Sequence, residues 1–265
     1  MKKIIKLIIF AAILLFVTHF IERKNNLPKA SYDDPLTTVE SAKGLDEIMI
    51  HYTAMDISFN PTLHIPNWVA WELTENETDG KIDRKQTFSP DENIRGCATH
   101  KDYNNSGYSR GHMLPAADVK WSKKAMNESF YTTNVCPQHK NLNNKAWKKL
   151  EEKCRVWAEI DSALIIVCGP ILTDEITEYI GKTKVAVPKR FFKVILSPYA
   201  NPPRGIGFIM PNGDVPGGMQ GSAVSIDLVE EITGHNFFVN LPDEIENEVE
   251  AQCKFNQWSS LKKAQ

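Results

Sequence analysis

The run Ala163-Leu-Ile-Ile-Val-Cys168 is apolar at every position and is closed by Gly169-Pro170. It is too short for an ordinary helix, and β-branched residues dominate its middle, so it reads as a strand buried on both faces. A sheet built around such a strand needs cover above and below. Trp68-Val-Ala-Trp-Glu-Leu73 and Phe130-Tyr-Thr-Thr-Asn-Val135 read as further strands, as do Val185–Leu196 and Gly205–Met210, bounded by Pro198 and Pro211. Ser122 to Ser129 reads as a short helix with Ser122 as N-cap. In Leu142 to Glu159, the positions Asn143, Trp147, Leu150, Cys154 and Trp157 recur at helical spacing, with lysines on the other side. The pattern implies an α+β fold, a central antiparallel β-sheet flanked by helices.

The chain has 265 residues, enough for one large domain or two small ones. Its N-terminus reads differently from the rest. Lys2, Lys3 and Lys6 precede an apolar run, Leu7 to Ile21, in which only Thr18 and His19 are polar. The segment 1–24 is expected to be a signal-anchor or a signal peptide. No small-x-small cleavage site and no lipid-accepting cysteine follows, which favours an anchor. The positive flank points to a chain whose bulk lies outside the cytoplasmic membrane, an extracytoplasmic location. Residues 25–46, polar with Pro28 and Pro35, read as a tether to a domain spanning 47–265.

The net charge of −2 does not suggest a polyanionic partner, but its distribution does. Between Arg110 and Arg155 ten Lys or Arg residues face four acids, a local charge of +6. Such a patch attracts a phosphate backbone by counterion release. The five cysteines permit one or two disulfides in an exported chain, with unassigned pairing. Cys97-Ala-Thr-His100 and Cys136-Pro-Gln-His139 are two C-x2-H pairs, but their order differs from common zinc-site spacing.

The chemistry concentrates between Tyr108 and Arg155. The stretch holds Tyr108-Ser-Arg-Gly-His-Met-Leu-Pro-Ala-Ala-Asp118, then Phe130 to Asn134, then Gln138-His-Lys-Asn-Leu-Asn143 and Trp147-Lys-Lys-Leu-Glu151. An R-G-H triplet followed by Q-x4-N-x3-W-x3-E resembles the DNA/RNA non-specific endonucleases, a family of the ββα-metal finger class. Trp68–Thr74, Arg84–Asp91, Cys168–Pro170 and Val185–Val194 follow the same order, so the resemblance covers about Ile48 to Phe238.

The resemblance implies a metal-dependent endonuclease that hydrolyses DNA and RNA to 5′-phosphate products. His112 matches the general base, since a neutral imidazole can take a proton from water. Asn143 matches the protein ligand of a hydrated Mg²⁺, with Mn²⁺ as the alternative. Glu151, about 80° further around an ideal helix, matches an acceptor for the cation's hydration shell. Arg110 and Arg155 match arginines facing the scissile phosphate. Asn134 matches a residue that orients the site, and Arg84, Lys120 and Lys148 are expected to bind substrate. One position departs from the pattern: Ser109 stands where the family usually carries Asp.

The expected partners are the nucleic-acid backbone and, through the N-terminal segment, the membrane; the oligomeric state stays open, a homodimer included. Two rival readings are a catalytically silent module, as in ectonucleotide pyrophosphatases, and a phosphodiesterase for small nucleotides. Retention of His112, Asn143 and Glu151 favours the nuclease.

Overall fold

The computed structural model describes residues 32–261. The expected anchor 1–24 and the first part of the tether lie outside the described residues. Among those described, no helix is long and apolar enough to cross a membrane.

Three strands open the chain: β1 (Ile48–His51), β2 (Asp56–Asn60) and β3 (Ile65–Thr74). A short pair follows, β4 (Ser109–His112) and β5 (Val135–Gln138), with the helix α1 (Lys123–Ser129) between them. Next come α2 (Trp147–Asp161), β6 (Ala163–Pro170), the two-residue strands β7 (Tyr179–Ile180) and β8 (Val185–Ala186), β9 (Arg190–Ser197) and β10 (Arg204–Pro211). The chain closes with α3 (Gly218–Ser222), β11 (Ala223–Val224), α4 (Ile226–Thr233), α5 (Asp243–Glu250) and α6 (Phe255–Ser259). The central sheet has the order β1-β2-β3-β6-β9-β10-β11, and its neighbours are antiparallel throughout.

Period-2 alternation divides the core into two layers. Leu164, Ile166 and Cys168 of β6 point into one layer, shared with Trp71, Phe191, Ile195 and Phe208. Ile165 and Val167 point into the other, with Trp68, Phe192, Val194 and Leu196. Helix α2 covers the first layer through Trp147, Leu150, Cys154 and Trp157, all buried. Each such side chain contributes about 1.5–3 kcal/mol, against ~0.5 kcal/mol for an exposed i,i+4 pair such as Lys148–Glu152. The apolar stripe therefore fixes where α2 lies. Helices α4 and α5 cover the second layer through Ile226, Val229 and Val249.

The structure corrects four expectations. Phe130–Val135 is not a strand: Phe130 caps α1, Thr132–Asn134 is a 3-10 turn, and only Val135 begins β5. The buried Asn134 side chain bonds to Leu114 and Ser129, and these contacts override β propensity. Val185–Leu196 splits because Pro188 cannot donate to a ladder; Asn212 binds its carbonyl instead. The expected tether is not free over 32–46, since Leu36 is buried and Glu40 pairs with Asn236. The helix expected from Leu142 begins as a π-helical turn, Leu142–Ala146, and becomes α-helical at Trp147.

Candidate active site

Strands β4 and β5 pair in the register Arg110↔Pro137, Gly111↔Cys136 and His112↔Val135, and the chain runs from β5 into the π turn and α2. This ββα unit packs on the first layer of the core. Gly111 is required where β4 crosses Gln138: a Cβ there would lie 2.2 Å from Gln138 Oε1. The missing side chain lets Arg110 and His112 flank the same cleft.

That cleft, of about 300 Å³, is lined by Arg84, Arg110, His112, Asn143, Lys148, Glu151 and Arg155, together with Pro115, Ala116, Ala117 and Asn144. Seven of the nine expected site residues thus converge from three separate stretches of chain. Two do not line it. Asn134 is fully buried behind the site, where it accepts from Leu114 N and donates to the carbonyls of Leu114 and Ser129, each at 2.9 Å. It fastens the segment after His112 and acts as a positioning residue. Lys120 contributes its backbone carbonyl to Ile82 N–H, and is absent from the cleft lining.

His112 is 8% exposed and wedged between Phe88 and Phe130, each with its ring centroid 4.8 Å away. Its Nε2 has no hydrogen-bond partner among the described residues. Burial, reinforced by the charge of Arg84, lowers its pKa to about 3, so the ring is neutral at pH 7. Arg110 donates to the carbonyl of His100 at 2.6 Å and to Asn104 Oδ1 at 2.7 Å, and lies over the Phe88 and Tyr103 rings. Arg84 lies over the Phe130 ring at 5.1 Å. Arg155 is paired with the buried Asp118 at 2.8 Å.

Asn143 is half-buried, and its Nδ2 donates to Asn144 Oδ1, leaving its own carbonyl oxygen available for the cleft. Beside it stands the Glu151 carboxyl, pushed by burial up to about 7 despite the nearby charge of Lys193. A neutral amide oxygen with one carboxylate behind it, and no thiolate in the lining, fits a hard cation that keeps most of its water. Asn143 could hold such a cation directly and Glu151 through its water.

Two buried charged residues that interact with the cleft residues escaped the sequence reading. Lys193, on β9 opposite Cys168, is 1% exposed, with its Nζ 4.8 Å from the Trp71 ring and 4.6 Å from the Trp147 ring. Burial opposes its charge, but Cys168, Cys154, Glu151 and Asp118 hold its pKa above the ordinary value. A single lysine in the apolar run Phe191–Leu196 was the available signal. Asp118 is the other, at the end of the R-G-H stretch. All five cysteines are free thiols, and Cys97, His100, Cys136 and His139 are not gathered into a ligand cluster among the described residues. Ser109 enters by its backbone, opposite Gln138.

A paired-strand and helix unit on a large antiparallel sheet, with a buried histidine facing an asparagine across an arginine-lined cleft, defines the ββα-metal nuclease class. The family model for DNA/RNA non-specific endonucleases matches residues 33–244, and this chain belongs to that family. The mitochondrial nuclease EXOG of Danio rerio is 36% identical over 204 residues, covering 71% of this chain and 60% of that protein. Human mitochondrial endonuclease G is 31% identical over 200 residues, covering 70% of this chain and 67% of that one. A chain in the crystal structure of the EndoG/EndoGI complex matches with a TM-score of 0.69 at 27% identity, over 75% of this chain and 89% of that one. The chain spans 60% of the Danio rerio EXOG and 56% of the human one.

Proposed function

We propose that this protein is a Mg²⁺-dependent, sequence-non-specific endonuclease that cleaves DNA and RNA to 5′-phosphate products. The observation that carries the reading is the convergence of His112, Asn143, Glu151 and three arginines on one cleft. His112, neutral at working pH, takes the proton of the attacking water through its unpartnered Nε2. A ring with so low a pKa is a weak base in the free protein. A phosphate seated beside Arg84 offsets that arginine's charge and raises the basicity of His112 when substrate is present. Arg110 and Arg155, each braced by its own partners, face the charge that develops on phosphorus. Mg²⁺, when bound, neutralises the leaving oxygen. The cleft lining carries three arginines and a lysine, groups suited to backbone phosphates, which supports indifference to sequence.

We also infer that the domain works outside the cytoplasmic membrane, held by its N-terminal apolar segment; the positive residues before that segment support this. The decisive experiment is digestion of plasmid DNA and of RNA with and without EDTA. Cleavage is expected to need the cation and to fall by about 10²–10⁴-fold in His112→Ala. Undiminished cleavage by that variant would overturn the assignment of the base. Cleavage of a dinucleotide as fast as of long duplex would favour a small-nucleotide phosphodiesterase instead.

A further inference from the structure

The layer on the other side of the sheet carries an acidic group that the cleft does not use. Asp227 and Glu230 stand one turn apart on α4, and Glu250 ends α5. One carboxylate oxygen of each lies within 4.8 Å of the other two. Oxygens bound to one Ca²⁺ at about 2.3–2.6 Å can stand no further apart than about twice that distance, so this spacing suits a single ion.

Glu250 supplies the independent observation. It is 5% exposed, and its Oε1 has no hydrogen-bond partner among the described residues. Glu246, one turn earlier on α5, adds negative charge to the same place. No Lys, Arg or His forms an ion pair with any of these four acids among the described residues. Glu230 spends one oxygen on Phe237 N–H at 2.7 Å and has a second to offer. Carboxylates gathered this closely, one of them buried, repel one another without a counter-charge. Such a group needs either protons or a cation.

We propose that Asp227, Glu230 and Glu250 form a second cation site, which binds Ca²⁺ and joins α4 to α5 independently of the catalytic cleft. The all-oxygen, carboxylate-rich donor set selects a hard ion and disfavours zinc, which prefers nitrogen and sulfur. Three protein carboxylates in irregular array suit Ca²⁺, which tolerates variable geometry, better than the strictly octahedral Mg²⁺. Asp227 is exposed and gives the ion access from solvent, while Glu250 closes the site from the core side.

The test uses the full chain carrying Asn143→Ala, so that the expected catalytic ligand is absent. Calorimetric titration with CaCl₂ alone is expected to show one bound ion, and Tm is expected to rise in about 1 mM Ca²⁺, the weak end of natural calcium sites, relative to EDTA. Asp227→Asn is expected to weaken binding at least about tenfold, and Glu250→Gln to abolish both the heat and the Tm shift. Should Glu250→Gln fail to fold, the exposed Asp227→Asn still decides the matter. Absence of heat and of a Tm shift, or a shift that survives both substitutions, would overturn the site. In the wild-type background, folded Asp227→Asn is expected to cleave plasmid in Mg²⁺ as the parent does; loss of cleavage would refute the independence of the two sites.

Discussion

Arg155 donates to Asp118 Oδ1 at 2.8 Å, and Asp118 is 2% exposed, so the arginine at the cleft is anchored to a carboxylate inside the core. The pair therefore has a structural part and a catalytic part, and the two can be separated. Arg155→Met strands a buried carboxylate and is expected to cost about 3 kcal/mol in urea unfolding, with cleavage reduced by about 10²–10³-fold. In Arg155→Met with Asp118→Asn, much of the stability is expected to return while cleavage stays low. Recovery of both together would show that the arginine acts only as a prop.

The acid limb of cleavage is expected to report Glu151. Its carboxyl must be ionised to accept hydrogen bonds from the cation's water, and burial holds its pKa near 7. Activity of the free enzyme (kcat/KM) therefore falls as pH drops through that value. Lys193 opposes the rise, so Lys193→Met is expected to move the limb to higher pH and Glu151→Gln to flatten it. A Lys193→Met profile that is merely scaled down, without displacement, would assign the lysine to packing alone.

His112 links stability to pH in the opposite sense from a raised carboxyl. Its folded pKa, about 3, lies below the ordinary 6.5, so the unfolded chain binds the extra proton between those values. The contribution is complete above pH 6.5 and is lost as pH falls towards 3, with a slope approaching about 1.4 kcal/mol per pH unit. His235, lowered to about 4 by burial, acts in the same direction. Guanidinium unfolding of His112→Asn between pH 4 and 6 is expected to show the shallower slope of one histidine; an unchanged slope would place His112 in water.

Gly111→Ala puts a methyl group 2.4 Å from Cδ of the fully buried Gln138. Overpacking of this kind costs about 1–3 kcal/mol, and the displaced strand carries both Arg110 and His112. Cleavage is expected to fall further than stability, with partial rescue by Gln138→Ser. Full activity in Gly111→Ala alone would mean that β4 is free to shift.

Much of this was legible in the chain because the informative signals were local or rigidly spaced. The unbroken apolar run at Ala163–Cys168 announced a strand covered on both faces, and the stripe through Trp147, Leu150, Cys154 and Trp157 announced α2. The R-G-H triplet and the spacing from Gln138 to Glu151 pointed to five residues that line one cleft, and Arg84 and Arg155 join them there. What escaped depended on contacts distant in sequence. Phe130–Val135 has strand composition, yet Asn134 has three partners in Leu114 and Ser129, and these decide its conformation. Lys193 looks like an intrusion in an apolar strand until two tryptophan faces and two carboxylates are seen around it. Lys120 carries the right charge in the right stretch, but charge alone does not say which way a side chain leaves the fold.

The widened turn at Leu142–Ala146 has a consequence for how the catalytic frame tolerates change in chain length. It admits one residue more than regular α-helical winding would, and it does so between the amide of Asn143 and the tryptophans that lock α2 to the sheet. Deleting a single residue there would let the helix wind normally. The segments before and after the turn would keep their phase, but residues inside it would be re-aimed by up to about 100° about the axis, turning the amide of Asn143 and disturbing the buried Leu142 and Ala146. Such a protein is expected to lose cleavage far more than stability.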